Sequence, residues 1–254
     1  AFGSGRYIAE AGLSPVVRSG VILVSPNYRV GRFGFFAHPE LTAEAGRGTG
    51  NFWLSDQILA LDWVQRNIAR FGGDPAKVTI LGCSAGGSSV SSLMVAPAAR
   101  GKFARASVHS GGGFFNATRP LGRAENEGLE FAARAGVMQR GSNGLAALRR
   151  LPVSAVLAAD PSTPNYGAIV DGALLPEPVS LAFASGRQAQ VPLIAGSTSD
   201  EASVFGLMGF DAAVLKQRFG IDLADLREVY ASEGPLSDSQ LLRRVQTDFI
   251  FTSA

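Results

Sequence analysis

Apolar residues in this chain fall into two patterns, short β-branched runs and longer segments with apolar positions three or four apart. Four runs read as strands. GVILVSPNYRV (Gly20 to Val30) is apolar without a break before Pro26, as a strand covered on both faces should be. VTILG (Val78 to Gly82), KFARASVHSGG ending near His109, and VPLIAGSTSDE (Val191 to Glu201) are the others. LSDQILALDWVQRNIARFGGDP places Ile58, Leu61, Trp63, Val64 and Ile68 mostly at helical spacing. Ser55 or Asp56 marks its start, and Gly72, Gly73 and Pro75 lie just past its end. AGGSSVSSLMV (Ala85 to Val95) continues the second strand as a helix of small residues.

Strands alternating with helices predict an α/β fold with a mostly parallel sheet flanked by helices. Between the third and fourth strands, residues 114–190 read as an insertion covering one end of the sheet. It has helical pieces at Glu125 to Ala135 and Gly144 to Leu151 and a Pro-rich turn at VDGALLPEP. From Asp211 onward the pattern is helical, with no closing strand. The expectation is a single, partial domain over residues 1–254.

Composition narrows the function classes. With 254 residues, 46% hydrophobic, the chain can bury a sizeable core. Its 23 basic and 21 acidic residues are scattered and nearly balanced, which argues against a nucleic-acid partner. One cysteine rules out an intrachain disulfide, and with two histidines the usual zinc patterns are excluded too. No stretch approaches the ~20 apolar residues of a membrane span. The start shows neither a signal-peptide pattern nor an initiator Met, which leaves localisation open and reads as a processed or cropped beginning.

The chemistry concentrates at Gly82-Cys83-Ser84-Ala85-Gly86, a G-x-S-x-G pattern between a strand and a helix. In that context the pattern means a nucleophile elbow: a tight, strained turn that needs small neighbours and lifts the central side chain above the sheet. Register selects Ser84. A Cys83 nucleophile would need glycines at 81 and 85, where Leu81 and Ala85 stand. Cys83 is therefore read as a pocket-wall or buried small residue. The helix N-terminus and the Ala85 N–H are placed to bind a developing oxyanion. On this fold an acid and then a histidine come after the serine along the chain. Asp200 or Glu201 stands where the acid belongs. The two histidines, His38 and His109, both precede it and read as structural, so the general base is missing from these residues.

A string of segments resembles the type B carboxylesterases, relatives of the cholinesterases. NYRVGRFGFFAHPEL (Asn27 to Leu41), the block from Gly50 to Gly87, the stretch from Val170 to Ala202 and TDFIF (Thr247 to Phe251) carry the likeness. The resemblance implies an α/β-hydrolase fold and hydrolysis of small-molecule carboxylic esters through an acyl-serine intermediate, with no cofactor and no metal. Ser84 matches the nucleophile and Glu201, not Asp200, the acid. Ala85 matches one oxyanion-hole donor, and Ser110 matches a serine supporting the acid from behind. AFGSG resembles the residues immediately after the family's H-G-G segment, so Ala1 would be the last residue of the oxyanion loop. The family's histidine lies beyond the TDFIF helix, so the chain reads as the middle of a protein about twice its length.

Two departures stand out. Cys83 occupies the position next to the serine where the family usually has Glu, which weakens any preference for cationic alcohol groups. Phe52 and Trp53 replace smaller residues, narrowing the pocket or altering the packing. Two further readings remain: a non-catalytic relative used for binding or adhesion, as in neuroligins, and an inactive fragment of the esterase. Retention of Ser84 and Glu201 weighs against the first.

Overall fold

The computed structural model describes residues 18–111, 117–139, 141–160, 166–203 and 211–248. Strands among them are β1 (Thr79–Cys83), β2 (Arg105–His109), β3 (Arg119–Pro120), β4 (Ile169–Val170) and β5 (Leu193–Gly196). The α-helices are α1 (Gly31–Gly34), α2 (Pro39–Ala45), α3 (Phe52–Asn67), α4 (Ala85–Val95), α5 (Leu121–Arg134), α6 (Gly141–Arg149), α7 (Val153–Ala159), α8 (Val179–Ala184), α9 (Ala212–Phe219), α10 (Leu223–Leu226) and α11 (Asp238–Thr247).

β1, β2 and β5 form a parallel sheet in that order, with Leu81 beside Ser107 and Ser107 beside Ile194. Alternation along the strands gives the sheet two different faces. Ile80, Ala106 and Val108 point into the main core with Val90, Leu93 and Met94 of α4. On the opposite face Leu81 is 54% and Ile194 70% exposed. The small residues of α4 let it lie close to the sheet. A Cβ on Gly87 would come within 2.8 Å of the Gly111 Cα, so only glycine fits that crossing.

The run at Gly20 to Val30 differs from its predicted strand. Its backbone is irregular up to α1, and Val21, Ile22 and Val24 are exposed. A β-branched run becomes a strand only where a neighbour supplies the hydrogen-bond ladder and a packing face. Among the described residues no strand pairs with it.

α3 begins earlier than Ser55 or Asp56 suggested. Asn51 occupies the N-cap position, but its side chain is engaged elsewhere. Its Nδ2 donates to the Ile169 carbonyl at 2.6 Å and to Asp171 Oδ2 at 2.8 Å, while Oδ1 accepts the Ile169 N–H at 3.0 Å. Asp171 Oδ1 in turn accepts the N–H groups of Ala173 and Leu175, each at 2.9 Å. This buried network ties α3 to β4 with its polar atoms satisfied, the condition under which burying them is tolerable. Trp53 stacks on Phe35 with ring centroids 5.2 Å apart inside the main core, so the departure at this position is one of packing. Trp63, grouped with the apolar helical positions, is 42% exposed.

Between β2 and β5 the chain builds α5 to α8 and the small parallel pair of β3 and β4. α5 presses on the segment before α2: a Cβ on Gly128 would meet the Ala37 carbonyl oxygen at 1.9 Å. Arg32 pins this region. Its guanidinium lies 4.8 Å from the Phe131 ring centroid and 5.5 Å from that of Tyr166, and it pairs with Asp160 at 2.7 Å. The Tyr166 hydroxyl also donates to Asp160, and burial together with that carboxylate pushes the phenol up to about 12. After β5 a separate cluster forms from Leu215, Leu241 and Val245, with α11 opened by a capping box of Ser237 and Gln240. No helix among the described residues is long and apolar enough to cross a membrane.

Candidate active site

The turn from β1 into α4 holds Ser84 at φ 56°, ψ −121°, a backbone conformation that residues other than glycine seldom adopt. Two hydrogen bonds fix it: the Ser84 N–H donates to the His109 carbonyl at 2.9 Å, and its own carbonyl accepts the Ser88 N–H at 3.1 Å. The steric demand is carried by Gly82. A Cβ there would fall 2.2 Å from the backbone of Gly86, whereas a Cβ on Gly86 meets nothing within 4 Å. Ala85 is buried at the first turn of α4, where backbone N–H groups have no partner within the helix. Behind it, Ser89 Oγ donates to the Ala85 carbonyl at 3.0 Å and accepts from Gln57 Nε2 at 3.1 Å, joining α4 to α3.

β2, next to β1, and β5, next to β2, lead to the other polar groups of the site. Ser110, directly after β2, has φ 48°, and its N–H donates to the Gly196 carbonyl at 2.8 Å. Its hydroxyl donates to Glu201 Oε1 at 2.6 Å, and the Thr198 N–H donates to the same oxygen at 2.6 Å. Glu201 is 8% exposed, whereas Asp200 is half exposed and pairs with Arg243. Of the two carboxylates offered by the sequence, Glu201 is the one buried and oriented by donors. With both donors on Oε1, Oε2 is left to accept from another group. Adjacent strands are ~4.8 Å apart, so the ends of β1 and β5 are separated by ~10 Å.

Neither histidine of the chain is engaged in this way. His38 is buried before α2, where its Nδ1 accepts the Glu40 N–H at 3.3 Å. Burial depresses its pKa from 6.5, against the pull of Glu40 and Glu125. His109 is exposed, with Nε2 2.8 Å from Ser107 Oγ. Cys83, paired in register with His109, is exposed as well and not buried as a small residue. Strand alternation explains this, since Leu81 and Cys83 share the sheet face opposite Ile80. Ala1 lies outside the described residues. The Thr198 N–H escaped sequence reasoning because a backbone donor carries no residue-type signal.

The model of the carboxylesterase family matches residues 1–247. The chain is 36% identical to a fumonisin B1 esterase of Sphingopyxis macrogoltabida over 199 residues, 76% of this chain and 36% of that protein. It is 33% identical to cholinesterase 1 of Branchiostoma lanceolatum over 229 residues, 82% of this chain and 60% of that one. Among solved structures, a Geobacillus stearothermophilus carboxylesterase superimposes with a TM-score of 0.80 at 30% identity, covering 99% of this chain and 55% of its own. The chain therefore spans between about a third and three-fifths of the length of these relatives. Its α/β-hydrolase sheet, its serine elbow and these likenesses agree that the chain belongs to the carboxylesterase family.

Proposed function

We propose that the protein hydrolyses small-molecule carboxylic esters, with Ser84 as nucleophile, Glu201 as the acid of a triad, and a histidine from outside these 254 residues as base. The observation that carries the reading is Ser84, held at φ 56° over the carboxyl edge of a sheet whose neighbouring strands lead to Ser110 and Glu201. The roles of His38 as a helix cap and His109 as a partner of Ser107 support placing the base elsewhere.

In the proposed reaction Ser84 Oγ attacks the ester carbonyl carbon while the imidazole takes its proton. The carbonyl π pair moves onto oxygen, and the oxyanion forms against the Ala85 N–H, with Ala1 and a preceding glycine as further donors. Collapse of this intermediate expels the alkoxide, which takes the proton from the imidazolium. Water, deprotonated by the same imidazole, then attacks the acyl-serine and releases the acid. The Glu201 carboxylate stabilises the imidazolium through the oxygen that Ser110 and Thr198 leave open. With Cys83 in place of the family's usual carboxylate beside the nucleophile, any preference for cationic alcohol groups is weakened. We read residues 114–190 as an insertion within one domain, a reading supported by β5 resuming the sheet next to β2.

Hydrolysis of p-nitrophenyl butyrate by the intact protein tests the proposal. Turnover should fall at least a thousandfold in Ser84→Ala, and the 254-residue chain alone should lack triad-level rates. Full activity in Ser84→Ala would overturn the assignment.

A further inference from the structure

The turn that carries Glu201 is gripped from behind by a helix the reaction does not use. Residues 201–203 form a single tight helical turn, closed by the Ser203 N–H donating to the Asp200 carbonyl at 3.2 Å. The Ala202 N–H, one residue past the acid, donates to Thr247 Oγ1 at 3.2 Å. Both residues are buried and lie 45 positions apart in the chain. Arg243, one turn earlier on the same helix, pairs with Asp200, the residue just before the acid. α11 thus holds the positions on either side of Glu201 through residues spaced i and i+4. The exposed Arg243 pair is screened by solvent, so the buried Thr247 bond dominates. α11 is itself fixed by its capping box and by Leu241 and Val245 packed with Leu215.

We propose that Thr247 is a positioning residue for the acid: its hydroxyl fixes the Ala202 N–H and so aims the Glu201 carboxylate. This rests on the reading of Glu201 as the triad acid. Ser110 and Thr198 hold the carboxylate from the front, but on Oε1 alone, so the direction of Oε2 depends on the orientation of the backbone turn. Replacing the hydroxyl with a methyl leaves a buried N–H without an acceptor, and the turn relaxes to find one. Misaiming a triad member lowers the rate of the chemical step more than it weakens substrate binding.

The test is steady-state hydrolysis of p-nitrophenyl butyrate by the intact protein, normalised by active-site titration with a phosphonate. Thr247→Val should lower kcat about tenfold or more with KM changed less than twofold, and Thr247→Ser should recover to within about threefold of the wild type. In a Glu201→Gln background, which should itself cost a hundredfold or more, adding Thr247→Val should change kcat less than twofold. A kcat unchanged by Thr247→Val, a loss confined to KM, or an equal loss in both Glu201 backgrounds overturns the proposal. If Thr247→Val does not fold, Thr247→Ala takes its place, and failure of both to fold assigns Thr247 to the fold alone. Wild-type rates in Glu201→Gln would instead remove the triad assignment.

Discussion

The Ser110 hydroxyl reaches Oε1 of Glu201 at 2.6 Å, bridging the ends of two adjacent parallel strands, β2 and β5. A hydrogen bond to a charged acceptor is worth about 1.5–3 kcal/mol, roughly ten- to a hundredfold in an equilibrium or rate. Ser110→Ala should therefore lower kcat/KM for p-nitrophenyl butyrate by that factor in the intact protein. Ser110→Gly, which also relieves the positive φ, should lose a similar amount of activity with less loss of thermal stability. Equal activity of Ser110→Ala and the wild type would show that Thr198 suffices to hold the acid.

Parts of this site were legible in the sequence for definite reasons. Ser84 is marked by two flanking glycines between a β-branched strand and a small-residue helix, because the elbow is a local steric problem with a local signature. Between Asp200 and Glu201, position alone could not choose. The choice depends on Ser110, which lies 91 residues away in the chain and meets Glu201 only once β2 and β5 are paired. Thr247, 45 residues from Ala202, was invisible for the same reason, and Thr198 because a backbone donor carries no residue-type signal. The run at Gly20 to Val30 shows the converse limit: its composition suits a strand, but pairing requires a neighbour. The exposure of Leu81, Cys83 and Ile194 likewise depends on what covers one sheet face, which periodicity does not report.

The two glycines of the elbow should not be equivalent. Gly82→Ala drives a methyl to 2.2 Å from the Gly86 backbone, a contact that only a displaced helix could relieve. It should abolish activity and lower the melting temperature by several degrees. Gly86→Ala projects its methyl into open space within a helix, where alanine is favoured by about 1 kcal/mol over glycine. Its thermal stability should equal or exceed the wild type, as differential scanning calorimetry would measure. Equal damage from both substitutions would remove the steric argument.

Asn51 should be among the residues most costly to replace outside the site. Asn51→Leu keeps the volume but leaves the Ile169 N–H and carbonyl without their partners and takes a donor from the buried Asp171 carboxylate. The loss should be about 3 kcal/mol or more by urea denaturation. Asn51→Asp should be at least as damaging, because it replaces the donating amide with a second carboxylate facing Asp171.

His38 gives the fold a sensitivity to mild acid. Its native pKa lies below the ordinary 6.5 because burial disfavours the imidazolium, although Glu40 and Glu125 pull the other way. The unfolded chain therefore binds a proton more readily than the native protein as pH falls through 6.5. By linkage, stability declines from there down to the native pKa and then levels off, at no more than about 1.4 kcal/mol per pH unit for one group. The protonated ring also loses the Nδ1 acceptor that caps the Glu40 N–H. Carboxylates follow the same rule at lower pH. Glu177, held below its ordinary 4.5 by the hydrogen bond from Arg187, loses its contribution as pH falls from 4.5 to its lowered native pKa. Urea midpoints between pH 8 and 5 should therefore fall in the wild type. In His38→Asn, which keeps a capping side chain without a titrating ring, the midpoints should stay flat over the same range. A parallel decline in both proteins would assign the acid sensitivity to another group.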